Sequence, residues 1–196
     1  MPITPVTPLV ERFDATVEAA LERVRSPLAD RIFWSASSAA DHGLLWHTIG
    51  VVRALRRGSV LDALRFSAAM GIESFVTNVA VKSAFRRRRP VGSEQPLPAD
   101  LHRPVTSSFP SGHATAAFCA ATLLVRDGRS RVGWYGLAAV VGASRVYVRL
   151  HHPSDVVAGA VLGRVLGAAL APLVPARPTV RRSWWAIARG SRGRRR

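Results

Sequence analysis

A short segment, SSFPSGHATA at residues 107–116, combines residue types that suit an anion-binding helix start. Pro110 can open a helix, and Ser111 and Gly112 then leave backbone N–H groups pointing outward, where the helix dipole favours negative charge. Gly112 also lets a ligand approach the backbone closely. His113 lies within reach of the same anion and, as a histidine, can transfer a proton near neutral pH. The segment predicts a phosphate site, although an ordinary helix cap has the same pattern.

A basic segment, KSAFRRRRP at residues 82–90, offers cations for such an anion. Lys82 is the only lysine in a chain whose basic residues are otherwise arginine. Lys82 supplies a point charge and Arg89 a planar fork, and this pair is suited to holding a phosphoryl group. Arg86, Arg87 and Arg88 can share that task or face solvent. Because basic runs at membrane edges are common, this segment alone is a weak signal.

A third segment, SRVYVRLHHPSD at residues 144–155, places a histidine four residues before an aspartate. If a helix begins at Pro153, the carboxylate of Asp155 can reach one ring nitrogen of His151 and leave the other free as a nucleophile. Ser144 and Arg145 precede this pair. The adjacent His152 raises the question of a metal, but no further cluster of His, Cys or carboxylates completes a site, so we expect no metal and no cofactor.

The composition favours a membrane protein over a soluble nucleic-acid binder. The formal net charge is +16, yet 48% of the residues are hydrophobic and long segments are almost free of charge. Strong basicity is typical of proteins that bind nucleic acid or anionic membranes, and only the second class needs those apolar segments. The single Cys119 excludes a disulfide framework. The N-terminus lacks the pattern of a cleavable signal, so insertion would use internal segments.

The apolar segments predict an all-α integral membrane bundle of about five transmembrane helices plus an N-terminal amphipathic helix. Residues 8–25 alternate apolar and charged positions at helical spacing, which is typical of a helix lying on a membrane surface. A transmembrane helix needs about 20 apolar residues, and the second and fifth runs below reach that length. The five apolar runs lie at residues 41–55, 61–81, 112–125, 132–148 and 154–174. A soluble helical bundle remains the alternative, because the runs carry a few charged residues.

The loops between these runs predict the orientation in the membrane. Loops 53–58 and 126–131 and the tail 175–196 fall on one side and are rich in arginine, which predicts that this side is cytoplasmic. The three polar segments then emerge together at the opposite, extracytoplasmic helix ends. The tail, with paired tryptophans among arginines, is typical of an interfacial anchor or of a solvated tail. The long loop 83–109 is of a length that usually carries function.

Taken together, the three segments resemble the tripartite signature of the type 2 phosphatidic acid phosphatase (PAP2) family, lipid phosphatases that share their site with vanadium haloperoxidases. The signature has the form K-x6-RP from Lys82 to Pro90, PSGH from Pro110 to His113, and SR-x5-H-x3-D from Ser144 to Asp155. The resemblance covers residues 37–174, and it divides the chain into an N-terminal interfacial segment 1–36, a phosphatase domain 37–174 and a basic tail 175–196.

The resemblance implies a mechanism without a metal ion. His151 would attack phosphorus to form a phosphohistidine, Asp155 would orient it, and His113 would protonate the leaving oxygen and later activate water. The remaining signature residues would hold the equatorial phosphate oxygens, where charge is spread in the transition state. These phosphate-binding residues are Lys82, Arg89, Ser111, Gly112 and Arg145.

The substrate class follows less directly from the sequence. Lipid-linked candidates are a polyprenyl diphosphate, a polyprenyl-phosphoryl phosphoribose, phosphatidylglycerol phosphate and phosphatidate. The arginine-rich composition and the segment SSAADHGLLW resemble actinobacterial members, which favours a polyprenyl substrate in cell-wall assembly. Three alternatives stay open: a vanadate-dependent haloperoxidase, a basic membrane scaffold without catalysis, and nucleic-acid binding by the arginine tail.

Two charged residues inside the apolar runs predict a buried ion pair. Glu73 precedes Lys82 by nine residues and Arg164 follows Asp155 by nine, so at 1.5 Å per residue each would lie about 14 Å below the site. An unpaired charge at that depth is costly. We therefore expect Glu73 and Arg164 to pair, the alternative being a separate polar partner for each. Gly159, Gly163 and Gly167 in the last run suit close helix packing.

Overall fold

The computed structural model describes residues 6–90, 106–128 and 130–176, and these residues form an all-helical bundle without strands. Residues 1–5, 91–105, 129 and 177–196 lie outside this description, so the central part of the long loop and nearly all of the basic tail are not considered further. Seven α-helices occur in the described residues. They are α1 (Pro8–Arg23), α2 (Pro27–Ala39), α3 (Leu44–Leu55), α4 (Val60–Phe75), α5 (Gly112–Leu124), α6 (Arg131–Tyr147) and α7 (Pro153–Leu170).

The helices α3 to α7 correspond to the five apolar runs of the sequence. The helix α4 continues through a π-helical stretch, Val76–Val81, to Lys82. One helix, Pro153–Leu173 with its terminal 3₁₀ turn, is long and apolar enough to cross a membrane within the described residues. Only 17% of its most apolar window is buried, whereas the core helix of a soluble protein is mostly buried. The fivefold crossing expected from the sequence is not established by this criterion.

The core of the bundle is the contact between α5 and α7, which three glycines make unusually close. A Cβ atom built on Gly163 would lie 2.2 Å from the carbonyl oxygen of Thr115, and one on Gly159 would lie 2.6 Å from that of Ser111. At Gly167 the nearest atom would be Cβ of Thr122, at 2.7 Å. Real Cβ atoms do not approach backbone oxygens so closely. The predicted close packing at these glycines is confirmed.

The helix α2 is an element that the sequence analysis did not anticipate. Ser26 accepts a hydrogen bond from the Ala29 amide and Pro27 occupies the first helical position, which is a common way to begin a helix. It packs on the end of α6, where Phe33 stacks on Tyr147 with 4.5 Å between ring centroids. The phenol of Tyr147 donates to Asp30 at 2.7 Å. The segment between α1 and α2, residues 24–26, is therefore only a short turn.

Ion pairs join the helix ends at the opposite end from the signature residues. Arg57 lies 2.8 Å from the carboxylate of Asp127, and Arg53 pairs with the same carboxylate. Arg126 donates to the carbonyl oxygen of Val174 at 2.8 Å, at the end of the last helix. The loops at 53–58 and 126–131 thus meet at one end of the bundle, as the predicted arrangement requires.

The expected pair between Glu73 and Arg164 is wrong. Glu73 is buried and accepts a hydrogen bond from Thr77 at 3.0 Å, while the Arg164 guanidinium lies 5.3 Å from the centroid of the Tyr135 ring. Arg164 faces outward from α7, whereas Glu73 faces the interior. Counting residues along a helix gives the depth of a side chain but not the direction it faces, so a similar depth does not bring the two charges together.

We expect Gly163→Ala to destabilise the bundle, because the added methyl group would meet the Thr115 carbonyl and force α5 and α7 apart. Overpacking of this kind costs about 1–3 kcal/mol. Thermal unfolding of the detergent-solubilised protein measures this as a lowered Tm.

The matched control is Gly136→Ala on α6, where an added Cβ would meet no atom within 4 Å. In a helix, alanine is favoured over glycine by up to about 1 kcal/mol, so this variant should keep or raise the Tm. Equal effects of both substitutions would show that the α5–α7 contact does not limit stability.

Candidate active site

The start of α5 is held against the start of α7. The amide of Ser111 donates to the carbonyl oxygen of Asp155 at 3.0 Å, and the Ser111 hydroxyl caps α5 by accepting from the Ala114 amide at 3.4 Å. The helix begins at Gly112, two residues after the proline that was expected to open it. Of the two amides expected to face an anion, that of Ser111 is thus already bonded. The first amides of α5, at Gly112 and His113, have no carbonyl partner within the helix.

The turn after α6 brings His151 to the same place. Arg149 adopts a left-handed conformation with φ 55°, and the Leu150 and Arg149 amides donate to the carbonyls of Arg145 and Val146 at 3.0 and 2.9 Å. This is the hydrogen-bond pattern of a Schellman motif, with arginine where glycine is usual. The His151 amide also donates to the Arg145 carbonyl, at 3.1 Å. The backbone of the nucleophile candidate is therefore fixed by the end of α6.

The ring of His151 is buried, and its hydrogen bonds define which nitrogen carries the proton. Nδ1 lies 2.6 Å from the carbonyl oxygen of Ser108 and 3.7 Å from Oδ2 of Asp155. A carbonyl oxygen can only accept, so Nδ1 is the protonated nitrogen and Nε2 carries the lone pair. Burial lowers the pKa of His151 to about 3, so the ring is neutral at physiological pH. Sequence reasoning missed Ser108, because its backbone oxygen has no signature in the sequence.

Asp155 caps the first turn of α7 and is not the closest hydrogen-bond partner of His151. The helix starts at Pro153, as expected, and Oδ2 of Asp155 accepts from the His152 amide at 2.9 Å. Oδ1 accepts from Arg87 at 2.6 Å. The distance of 3.7 Å to Nδ1 of His151 leaves the carboxylate as a nearby negative charge and not as the closest hydrogen-bond partner.

The four consecutive arginines alternate between two directions. Arg87 and Arg89 are partly buried, while Arg86 and Arg88 are exposed. Arg89 approaches Nε2 of His151 to 3.4 Å and also donates to the carbonyl oxygen of Leu150. The period of two shows an extended backbone. The sequence left open whether Arg86, Arg87 and Arg88 contribute to the site or face solvent. Arg87 reaches Asp155, whereas Arg86 and Arg88 face outward.

A cavity of about 660 Å³ is lined by signature residues from each of the three segments. Lys82 ends the helix that continues α4 and is 9% exposed, and burial lowers the pKa of its ammonium group to about 8. A Cβ on Gly112 would lie 3.6 Å from Nζ of Lys82, so the lysine and the start of α5 face each other. The residues of the predicted site that line the cavity are Lys82, Gly112, His113, Arg145 and His151.

Arg145 shows an unmet hydrogen-bonding capacity that suits an anion. It is 1% exposed, and one of its terminal nitrogens donates to the hydroxyl of Ser37 on α2. Its Nε is buried and has no hydrogen-bond partner among the described residues. Most buried polar groups in proteins are paired, so this atom is an exception that a bound ligand would remove.

Asp41 is a candidate functional residue that the sequence analysis missed. Its Oδ1 lies 3.1 Å from Nε2 of His113, and both residues line the cavity. Asp41 belongs to a 3₁₀ turn in which His42 and Gly43 both have positive φ angles, 51° and 70°. Such conformations at a non-glycine residue carry strain and occur often at functional sites. Asp41 lies far from His113 in the sequence, so no helical or strand spacing could have indicated their contact.

Curated relatives of the chain are phosphatases. The decaprenylphosphoryl-5-phosphoribose phosphatase of Mycobacterium tuberculosis is 30% identical over 165 residues, which cover 82% of this chain and 92% of that protein. The lipid A 1-phosphatase of Porphyromonas gingivalis is 36% identical over 113 residues, which cover 55% of this chain but only 22% of that protein.

Two solved structures share the fold. The transmembrane PAP2-type phosphatidylglycerolphosphate phosphatase of Bacillus subtilis superposes with a TM-score of 0.68 at 23% identity, covering 85% of this chain and 86% of the other. LpxE of Aquifex aeolicus gives 0.63 at 22% identity, covering 81% and 94%. The model of the family described as the PAP2 superfamily matches residues 62–178, which include all three segments around the cavity. The chain therefore belongs to the PAP2 superfamily.

Proposed function

We propose that this chain is a membrane lipid phosphatase that removes phosphate from a lipid through a phosphohistidine on His151, without a metal ion. The observation that carries the proposal is the state of His151. Its Nδ1 is held by the Ser108 carbonyl, and the lone pair of its Nε2 points toward Arg89, which lies 3.4 Å away and is the donor of this long hydrogen bond. A neutral imidazole with one nitrogen fixed and the other facing a cationic cavity is what nucleophilic attack on a phosphoryl group requires.

The first step forms a bond between Nε2 of His151 and phosphorus and breaks the bond from phosphorus to the lipid oxygen. Lys82, Arg89 and Arg145 surround the site of the phosphoryl group, and positive charge there stabilises the charge on its oxygens in the transition state. The free amides at the start of α5 and the Ser111 hydroxyl supply further donors. The unpartnered Nε of Arg145 gains a partner when the anion binds.

His113 transfers the protons. It gives a proton to the leaving oxygen, and in the second step it takes one from the water that attacks the phosphohistidine, which releases inorganic phosphate and restores His151. The Asp41 carboxylate, 3.1 Å from Nε2 of His113, stabilises the ring when it is protonated. A bound phosphate adds negative charge nearby, so proton uptake by His113 accompanies substrate binding.

We infer that α3 to α7 cross the cell membrane and that α1 lies at its extracytoplasmic surface. Large apolar side chains point outward from these helices, such as Val157, Val161 and Val165 of α7, which are 53–59% exposed. The ion-paired, arginine-rich loops at the opposite end of the bundle support a cytoplasmic position for that end. The catalytic cavity then opens at the outer surface, at the level of the lipid headgroups.

We favour a polyprenyl-linked phosphate as the substrate. The relative that spans most of both chains is named for a decaprenyl-linked phosphoribose. The cavity has polar groups beyond the catalytic ones, including His42 and Asn78, which can contact a hydroxylated headgroup. A phosphatidate or phosphatidylglycerol phosphate offers fewer hydroxyl groups to these residues.

Purified protein in detergent should release phosphate from a lipid phosphate in the presence of EDTA, and His151→Ala should abolish the release. The panel comprises a polyprenyl-phosphoryl phosphoribose, a polyprenyl diphosphate, phosphatidylglycerol phosphate and phosphatidate, and we expect the first to be hydrolysed fastest. Acid-labile, alkali-stable ³²P on the wild-type protein after rapid quenching would identify the phosphohistidine. Activity that chelation removes would overturn the metal-free mechanism, and equal rates on all four lipids would overturn the substrate preference.

Because burial lowers the pKa of Lys82 to about 8, kcat/KM should fall as the pH rises through about 8, where the ammonium group of the free enzyme loses its charge. The folded-state pKa lies below the value of 10.5 in the unfolded chain, so the charged form is the one that burial disfavours. In Lys82→Arg the guanidinium stays charged, and the alkaline limb should move to higher pH even if the maximal rate is lower. An alkaline limb at the same pH in this variant would assign that limb to a group other than Lys82.

A further inference from the structure

The helix α1 docks on the bundle with its polar face and leaves its apolar face exposed. Leu9 and Phe13 are 77% and 44% exposed, whereas Asp14 is 4% exposed and is the one buried residue of the helix. Carboxylates at four-residue spacing lie on one side of a helix. Here Glu18 contacts Nδ1 of His152 at 2.9 Å and Glu22 accepts from Arg149 at 2.9 Å. The acidic side of α1 thus covers the turn that carries His151.

Asp14 accepts three hydrogen bonds at the deepest point of this contact. Its Oδ1 accepts from the Ser154 amide at 2.7 Å. Its Oδ2 accepts from the Ser154 hydroxyl at 2.8 Å and from one terminal nitrogen of Arg87 at 2.6 Å. Asp14 therefore binds the first turn of α7 and the partly buried arginine beside it.

Arg87 connects Asp14 to Asp155. Its second terminal nitrogen donates to Oδ1 of Asp155 at 2.6 Å and to the Ser154 hydroxyl at 2.7 Å. The guanidinium is therefore shared between two carboxylates, one on α1 and one on α7. A guanidinium that faces a single carboxylate can bind both of its oxygens in a forked arrangement. Without the charge of Asp14, Arg87 is free to turn toward Asp155 in this way.

Such a turn would change the surroundings of His151. Oδ2 of Asp155 caps the His152 amide and lies 3.7 Å from Nδ1 of His151. If Oδ2 binds Arg87, both the cap on the His152 amide and the distance to Nδ1 of His151 change. The negative charge that faces the protonated Nδ1 would then be weaker, which makes Nε2 a poorer nucleophile.

We propose that Asp14 is a positioning residue for the reaction at His151, acting through Arg87 and Asp155. This inference rests on the proposed function of His151. Asp14 lies outside residues 62–178, the part of the chain that matches the family model, so α1 supplies a residue to the active centre that this matched region does not contain.

Asp14→Asn tests the proposal, because asparagine keeps the size of the side chain and removes its charge. On the preferred lipid phosphate we expect kcat to fall about tenfold or more with KM changed less than about twofold, since Asp14 does not face the cavity. Asp14→Glu should restore a substantial part of the lost rate. The matched control is Glu22→Gln on the same face of α1, which removes an exposed ion pair with Arg149 and should leave kcat unchanged.

A double-mutant cycle separates positioning from stability. In an Arg87→Gln background, Asp14→Asn should reduce kcat by less than twofold, because the path from Asp14 to Asp155 is already broken. Independent, multiplicative effects on kcat would overturn the proposal. A lowered Tm with an unchanged kcat of the folded protein would also overturn it, since Asp14 would then have a structural role only.

Orthovanadate probes the same geometry without a lipid, because it accepts a nucleophile as a fifth ligand and mimics the transition state of phosphoryl transfer. We expect Asp14→Asn to raise the Kd of orthovanadate about tenfold, measured by calorimetry, while Glu22→Gln leaves it unchanged. A wild-type protein that neither binds orthovanadate nor releases phosphate would contradict the proposed function itself. Wild-type activity together with unaltered Asp14→Asn kinetics and vanadate affinity would contradict only the role of Asp14.

Discussion

The close contact between α5 and α7 is the constraint on which the catalytic cavity depends. Glycines on α7 let its backbone touch the carbonyls of Ser111 and Thr115 on α5. At the N-terminal ends of α5 and α7, the Ser111 amide donates a hydrogen bond to the Asp155 carbonyl, so the two helix starts are joined backbone to backbone. The first amides of α5, which we propose bind the phosphoryl group, and the turn that carries His151 therefore cannot move independently. Larger residues on α7 would separate two parts of the site that lie far apart in the sequence.

The site combines an excess of positive charge with a few carefully placed carboxylates. Arg145 is almost completely buried and Lys82 nearly so, and placing cations in such surroundings is costly unless anions compensate them. Asp41, Asp14 and Asp155 supply part of this compensation from three different helices or turns. The incomplete balance leaves the cavity with a need for negative charge, which the unpartnered Nε of Arg145 makes visible. The proposed affinity for a phosphoryl group and the electrostatic cost of burying these cations thus have the same physical origin.

The sequence predicted those features that depend on local pattern. Apolar runs gave the positions of α3 to α7, and the spacing of the three segments gave the residues that meet at one end of the bundle. It could not predict contacts made by backbone oxygens, such as that of Ser108 with His151, because every residue has such an oxygen. It also missed Asp14, whose partner Arg87 is 73 residues away. The error over Glu73 and Arg164 came from counting residues along the helices, which gives the depth of a side chain but not the side it faces: Glu73 is buried and Arg164 is exposed.

The two faces of α1 link the position of the site in the membrane to its chemistry. An amphipathic helix at a lipid surface keeps its apolar residues among the acyl chains and its polar residues above them. In α1 those polar residues do not face water alone, because Asp14 and Glu18 bind the turn around His151. In the proposed topology, the depth at which α1 settles therefore fixes the height of the nucleophile above the acyl chains. A lipid-linked phosphate has its reactive group at that same height, so a single helix can align the catalytic turn with the substrate.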